Sequence, residues 1–241
     1  MPRLHIAAKT IRLGIVDTGV DISQHDHALL VGGVGVIKQN QEQLALVFDT
    51  TDHHGHGTSI ASLLAVFCPD ATLVPVRIAQ VCDGQSTSYV SEKVLALGID
   101  WCIDNQIRLV NVSYSIESIS SDGPLATICR KASENNIILV AAYRNGFQKP
   151  VYPAAFPSVI GVSIRQDLDH AQIVIISEKN RDVAAFGGPY QISSVGNKPK
   201  IVCGTSFATA QITGMIARML AIKPSLTLKQ VFGYLKKYAI E

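Results

Sequence analysis

The chain has 241 residues, of which 47% are hydrophobic and 17% charged, and its 21 basic and 19 acidic residues give a formal net charge of +2. This composition predicts a single compact domain with a substantial core and argues against a disordered chain. There is no basic stripe, no acidic tail and no apolar run of about 20 residues, so neither a nucleic-acid partner nor a membrane span is expected.

Short apolar runs rich in β-branched residues alternate with segments of helical periodicity. The predicted strands cover residues 11–16, 32–37, 44–48, 72–78, 107–112, 137–142, 159–164 and 173–176. The predicted helices cover residues 59–65, 88–105, 124–135 and 227–238, and a run of small and apolar residues from Ile212 to Leu220 has the spacing of a further buried helix. Strands that alternate with helices predict an α/β domain with a mostly parallel sheet flanked by helices on both faces.

The first predicted strand ends at Asp17-Thr18-Gly19. Catalytic groups of open α/β sheets gather at the carboxyl ends of the strands, which makes Asp17 a candidate for such a role. An aspartate that only starts a turn explains the same residue.

Three histidines, His53, His54 and His56, stand immediately before the helix predicted over residues 59–65. Their spacing of i, i+1 and i+3 does not direct all three rings to one point, so we do not expect a metal site. One of them acting as a general base fits better, and His56 is the best candidate because it lies nearest the helix.

The stretch Gly204-Thr205-Ser206-Phe207-Ala208-Thr209-Ala210 precedes a buried helix. At a helix N-terminus the free amides and the dipole favour developing negative charge, which suits a nucleophilic serine. A serine or threonine helix cap is the simpler alternative. A serine nucleophile needs a base, and the base needs an orienting group. Ser206, His56 and Asp17 supply these three roles.

The sequences around these three residues resemble those of the subtilisin-like serine peptidases, or subtilases, and they occur in the subtilisin order of Asp, His and Ser. The resemblance runs from about Ile11 to the C-terminus. It implies one subtilisin-like peptidase domain over residues 1–241. It also implies a serine endopeptidase that acts on peptide or protein substrates through an acyl-enzyme intermediate.

The resemblance also assigns an oxyanion donor. Asn145 follows the apolar strand over residues 137–142, and its side-chain amide would join the backbone amide of Ser206 on the oxyanion. An asparagine in a strand-ending turn would explain Asn145 equally well. The sequence Tyr152-Pro153-Ala154 resembles a family element near the primary specificity pocket, in which the Tyr-Pro bond is usually cis.

Further positions are implied as substrate-binding: Ser113, Tyr114, Ser115, Ala142, Tyr143, Arg144, Val151 and Thr205. Residues 112–115 match the strand beside which subtilases add an extended peptide. Among the departures from the family pattern, Arg144 and Val151 each stand where glycine is usual. A shorter pocket with a positive wall would favour a small or acidic residue on the amino side of the scissile bond, the P1 residue.

The five cysteines (Cys68, Cys82, Cys102, Cys129 and Cys203) are odd in number and widely spaced, which predicts buried or half-buried thiols in a reducing compartment. Cys203 is expected to be a small buried residue, with a place in the wall of the site as the alternative. No signal peptide is evident in the first ten residues, so we expect a cytoplasmic protein.

Neither a cofactor nor a metal is assigned from the sequence. Many secreted subtilases have a calcium-binding loop where this chain has the short segment 66–71, which lacks a run of oxygen ligands, so that calcium site is not expected. The other calcium sites of the family are left open. Among intracellular subtilases, proteases that remove leader peptides from ribosomally made precursor peptides fit these features. A non-catalytic peptide-binding scaffold and a peptide ligase or macrocyclase with the same triad are the alternatives. The oligomeric state is left open.

Overall fold

The computed structural model describes residues 10–21, 29–40, 43–79, 90–117, 119, 122–144, 146, 150–194 and 198–240. The helices are α1 (His56–Phe67), α2 (Glu92–Asp104), α3 (Pro124–Glu134), α4 (Thr205–Ile222) and α5 (Leu228–Tyr238). The strands are β1 (Arg12–Asp17), β2 (Leu29–Leu30), β3 (Val34–Lys38), β4 (Leu44–Val47), β5 (Thr72–Arg77), β6 (Leu109–Val112), β7 (Ile138–Ala142), β8 (Ile160–Ile164), β9 (Ile173–Ser177), β10 (Asp182–Ala185), β11 (Tyr190–Ser194) and β12 (Lys198–Val202).

The main sheet has 10 strands, in the order β4-β3-β5-β1-β6-β7-β8-β10-β9 with β2 paired to β5. The strands from β3 through β5, β1, β6, β7 and β8 to β10 pair in parallel. The two edge strands, β4 and β9, are antiparallel to their neighbours. The prediction of a mostly parallel α/β sheet is confirmed.

Helices cover both faces of the sheet, and strand β7 shows how its residues are divided between them. Ile138 and Val140 belong to the core cluster that includes residues of α1, α4 and α5. Leu139 and Ala141 belong to the cluster that includes residues of α2 and α3. Successive side chains of a strand point to opposite faces, so a central strand buried on both sides must be apolar at every position.

The strands in the C-terminal part of the chain were predicted incompletely. The strands predicted over 159–164 and 173–176 belong to the sheet, but β10, which was not predicted, lies between β8 and β9 and is needed to complete it. Strands β11 and β12 form a separate antiparallel hairpin that leads into α4. The sequence of β10, Asp-Val-Ala-Ala, is too short and too rich in small residues to give a clear strand pattern.

Helix α2 begins at Glu92, later than predicted, because the Ser91 side chain caps it by accepting from the Val94 amide at 3.3 Å. Positions 88 and 89 of the predicted helix lie outside the described residues. No helix in the described part of the chain combines the length and the apolar character needed to cross a membrane.

The register of the central strands brings three chain segments to one edge. Val16 of β1 pairs with Val112 of β6, and Val112 pairs with Ala141 of β7. Parallel strands in this register end side by side. The residues that follow β1, β6 and β7 therefore lie along the same carboxyl edge of the sheet.

Helices α1 and α4 pack closely on one face of that sheet. Gly214 in α4 faces Phe67 at the end of α1, and a Cβ at position 214 would overlap the Cβ of Phe67. The Arg218 Nε also donates to the Phe67 carbonyl oxygen at 2.6 Å. The absence of a side chain at Gly214 therefore sets how near the two helices approach.

Replacing Gly214 with Ala is expected to lower the free energy of unfolding. Overpacking a core typically costs about 1–3 kcal/mol, whereas the gain in helix propensity is about 1 kcal/mol or less. Urea unfolding followed by circular dichroism measures the difference.

Gly233→Ala in α5 is the matched control, because nothing lies within 4 Å of a Cβ at that position. Only helix propensity changes there, so stability should rise by about 0.5–1 kcal/mol. A Gly214→Ala protein as stable as the Gly233→Ala protein would contradict the close α1–α4 contact.

Candidate active site

Asp17 is the last residue of β1 and is fully buried. Its Oδ1 accepts from the Thr18 amide at 2.7 Å and is bonded to His56 Nδ1 at 2.8 Å. Its Oδ2 is buried, with no hydrogen-bond partner among the described residues. A buried carboxylate is costly unless it is paired and hydrogen-bonded, so His56 is held firmly to Asp17.

His56 is the first residue of α1, and Gly55 before it has a φ of 85°, in the left-handed region that glycine tolerates. The next residue, Gly57, has no room for a side chain, because a Cβ there would overlap the Gly19 carbonyl oxygen. The two glycines allow the start of α1 to lie directly against the end of β1. His56 thereby reaches Asp17, while its own side chain remains 27% exposed.

Burial lowers the pKa of His56, but the charge and the hydrogen bond of Asp17 outweigh it, so the pKa of His56 is raised from its usual 6.5. The Asp52 carboxylate raises this pKa further, and the Lys200 ammonium lowers it. With Nδ1 bonded to Asp17, the Nε2 of His56 is the nitrogen available to exchange a proton with a nucleophile.

Asp52 organises the loop that carries His56, a role that sequence reasoning missed. Its Oδ1 accepts from the Thr18 hydroxyl at 2.8 Å and from the Gly55 amide at 2.8 Å. Its Oδ2 accepts from the amide and the hydroxyl of Thr58 at 2.9 and 2.6 Å. Burial alone would raise the pKa of Asp52, but these hydrogen bonds outweigh it and lower the pKa.

The sequence does contain a signal for this role of Asp52, which is its position just before the start of a helix. Carboxylates are favoured there because they accept from the unpaired amides of the first turn.

Ser206 is the second residue of α4 and is half-buried. Gly204, the residue before the helix, has a φ of 139°, and its amide donates to the Gly187 carbonyl oxygen at 2.8 Å. The next residue, Phe207, packs its ring against the ring of His56, with centroids 5.8 Å apart. The start of α4 therefore lies beside His56, with the positive end of the helix dipole at Ser206.

Of the three neighbouring histidines, His56 is the one bonded to Asp17. The His54 ring lies edge-on to the His56 ring, with centroids 6.4 Å apart. Within the described residues, no group of three or more His, Cys, Asp or Glu side chains is placed to hold a metal ion.

The segments implied as substrate-binding lie where β6 and β7 end. Ser113, Tyr114 and Ser115 follow β6 as a half-buried stretch, in which the Ser113 amide donates to the Val16 carbonyl oxygen at 3.4 Å. Ala142 is the buried last residue of β7. These placements fit a role at the edge of the site, and the role itself stays a prediction.

Tyr143 and Arg144 point in different directions after β7. The Tyr143 hydroxyl donates to Asp182 Oδ1 at 2.9 Å, toward the interior, and burial together with that carboxylate raises the pKa of Tyr143. Arg144 is half-exposed and forms an ion pair with Glu117. The positive wall expected from Arg144 therefore has an acidic partner that sequence reasoning did not find.

Of the remaining implied positions, Val151 is fully buried, and Thr205, the first residue of α4, is buried as well. The Tyr152–Pro153 peptide bond is cis, as the resemblance implied. Asn145 lies outside the described residues, so its assignment as an oxyanion donor stays a prediction.

The prediction that Cys203 is buried was wrong. Cys203 is exposed between β12 and α4, whereas Cys68, Cys102 and Cys129 are buried, and all four are free thiols. Cys82 lies outside the described residues. Burial raises the pKa of Cys68 and of Cys129 to about 12, which keeps both thiols protonated and unreactive.

The sequence matches the family model of the Subtilase family over residues 8–239, and the chain belongs to this family. It is 27% identical over 247 residues to the minor extracellular protease Epr of Bacillus subtilis (strain 168), covering 98% of this chain and 36% of that protein. It is 28% identical over 231 residues to a thermostable alkaline protease of Halalkalibacterium halodurans, covering 91% of this chain and 59% of that one.

Subtilisin E of Bacillus subtilis (strain 168) is 26% identical over 255 residues, with 99% of this chain and 63% of that protein covered. The chain thus spans between about a third and two thirds of the length of these relatives. Among solved structures, a cold adapted subtilisin-like serine proteinase superposes with a TM-score of 0.73 at 20% identity, covering 92% of this chain and 80% of that one. This likeness supports the subtilisin-like fold.

Changing Asp17 to Asn is expected to lower the pKa of His56, because the carboxylate that favours the imidazolium form loses its charge. In the wild type, His56 should titrate above its usual 6.5. A proton NMR titration of the imidazole resonance, assigned with a His56→Gln protein, measures both values.

Asp70→Asn serves as the control, since it removes an exposed carboxylate beyond the far end of α1 and should leave the His56 titration unchanged. A His56 that titrates identically in the wild type and in Asp17→Asn would contradict the contact between the two side chains.

Proposed function

We propose that this domain is a serine endopeptidase that hydrolyses peptide bonds through an acyl-enzyme on Ser206. The observation that carries the proposal is the 2.8 Å bond between His56 Nδ1 and the buried Asp17 carboxylate, made beside the N-terminus of α4. An oriented base on one helix, beside the start of another helix that carries a serine, is the arrangement that nucleophilic catalysis by a hydroxyl requires. Membership of the subtilase family supports the same reaction.

In this mechanism, the Ser206 hydroxyl attacks the carbonyl carbon of the scissile peptide bond while His56 Nε2 takes its proton. Asp17 holds the ring in position and stabilises the imidazolium that forms. His56 then gives the proton to the leaving amine as the carbon–nitrogen bond breaks, which leaves the acyl group on Ser206. A water molecule, deprotonated by His56, attacks the acyl carbon. The bond from that carbon to the Ser206 oxygen then breaks, His56 returns the proton to Ser206, and the carboxylic acid product leaves.

The oxyanion that develops on the carbonyl oxygen would be bound by the backbone amide of Ser206 and the side-chain amide of Asn145. The Ser206 amide belongs to the first turn of α4, where amides are not used within the helix. Donors that are already oriented toward the developing charge lower the barrier without reorganisation during the reaction.

For the cellular setting, we propose a reducing compartment such as the cytoplasm, because the four described cysteines are free thiols. An active peptidase in that setting needs a narrow substrate range, which leads to the finer proposal of a processing protease for ribosomally made precursor peptides. Digestion of unfolded casein compared with defined peptides tests the range, since rapid general degradation of casein would contradict a dedicated role.

Labelling with a fluorophosphonate probe tests the nucleophile. The wild type should gain the mass of one adduct, because the probe reacts with a serine activated by an adjacent base. Ser206→Ala should gain none, whereas Ser225→Ala, which removes an exposed serine beyond α4, should label like the wild type. A folded wild-type protein that takes up no probe would contradict the proposed peptidase and favour a peptide-binding scaffold.

Changing Asn145 to Ala should reduce kcat roughly 10²- to 10³-fold, the usual loss for one oxyanion donor, with a much smaller effect on KM. Steady-state hydrolysis of a fluorogenic peptide measures both parameters. Asn135→Ala is the matched control, because Asn135 lies before the amino end of β7, away from the carboxyl edge, and should keep wild-type kcat. Equal kcat in the two variants would refute the oxyanion role of Asn145.

A further inference from the structure

We propose that the Arg144–Glu117 ion pair forms a neutral rim on the primary specificity pocket and selects an uncharged P1 residue. The inference rests on the proposed peptidase function and names the substrate class of that same site. It assigns a role to Glu117, and it replaces the sequence-based expectation that Arg144 favours acidic P1 residues.

The pair joins two chain segments that end at the carboxyl edge of the sheet. Glu117 belongs to the segment after β6 and Arg144 to the segment after β7, and these strands are parallel neighbours with Val112 opposite Ala141. In a parallel pair, the segments that leave the two strands diverge from adjacent points. The ion pair therefore spans the space between the two segments that the family resemblance assigns to substrate binding.

A third segment is fixed at the same place. Ile116, next to Glu117, forms an isolated antiparallel bridge with Tyr152, with the amide of each donating to the carbonyl oxygen of the other at 2.8 Å. Tyr152 in turn adjoins Val151, which is fully buried. All three segments implied as pocket walls are thus connected through Glu117 and its neighbour.

The direction of Arg144 follows from the anchoring of Tyr143. The Tyr143 ring passes Gly161, where a Cβ would lie 2.6 Å from its Cε2, and its hydroxyl reaches Asp182 on the interior side. Side chains alternate along an extended chain, so an inward Tyr143 places Arg144 on the opposite, outer side. There it meets Glu117, with the two side chains 56% and 50% exposed.

The electrostatic consequence is reciprocal. An acidic P1 side chain must compete with Glu117 for Arg144, and a basic one must compete with Arg144 for Glu117, so neither gains a free counter-charge. Removing one member of the pair takes from the other the counter-charge that this ion pair supplies. Loss of Glu117 should make the pocket accept acidic P1 residues, and loss of Arg144 should make it accept basic ones.

The test uses peptidyl diphenyl phosphonates with the sequence acetyl-Ala-Ala-X, where X at P1 is Ala, Glu or Lys. In each probe the activated serine oxygen forms a bond to phosphorus while a phenol leaves, so labelling does not require a known cleavage sequence. The labelling rates of the three probes are compared within one protein. The wild type should prefer Ala over both charged probes. Glu117→Gln should raise the Glu/Ala rate ratio about 10-fold, and Arg144→Gln should raise the Lys/Ala ratio about 10-fold, as expected for one half-exposed counter-charge.

Two controls separate the rim charge from other effects. The Glu117→Gln/Arg144→Gln double variant removes both charges and should return both ratios toward wild-type values. Glu178→Gln removes one charge from the exposed pair that Glu178 forms with Lys236 at 2.6 Å, beside α5, and should change neither ratio.

If both single variants react with the Ala probe but keep the wild-type Glu/Ala and Lys/Ala ratios, the neutral rim is overturned. The peptidase proposal would remain intact in that case. A wild type that reacts with neither these phosphonates nor a fluorophosphonate would overturn the peptidase proposal, and the inference with it.

Discussion

The hydrogen bond between Asp17 and His56 is the contact on which the rest of the site depends. Asp17 is fully buried at the end of β1, and an unpaired carboxylate in that position would be strongly destabilising. The pairing requires the start of α1 to lie against the end of β1, which only a residue without a side chain allows at Gly57. The same bond orients the base and raises its pKa, so one contact serves both folding and the proposed chemistry.

The surrounding structure maintains this contact through a second carboxylate. Asp52 binds Thr18, next to Asp17, and Thr58, next to Gly57, so the loop before α1 is tied to both sides of the Asp17–His56 pair. Because each oxygen of Asp52 accepts from several donors, the loop has few alternative conformations of similar energy. The close packing of α4 against α1 then places the Ser206 segment beside a base that is already fixed.

The segment after β7 shows how this chain differs from the usual family pattern without losing order. Arg144 stands where the family usually has glycine, and the structure gives Tyr143 and Arg144 separate partners, Asp182 on the inside and Glu117 on the outside. Gly161 provides the space through which the Tyr143 ring passes. A bulky residue and a charged residue are thus accommodated next to each other because an extended chain directs them to opposite sides.

The sequence by itself determined the features that depend on local order along the chain. Alternating strands and helices identified the α/β sheet, and Asp17 and His56 were recognised from their places at a strand end and a helix start. Only the tertiary structure decided the features that depend on pairing between distant segments. Strand β10 inserts between β8 and β9 because of hydrogen bonding that its short sequence does not signal, and Glu117 meets Arg144 because β6 and β7 are neighbours. Such contacts are set by the relative positions of whole strands, which no local pattern encodes.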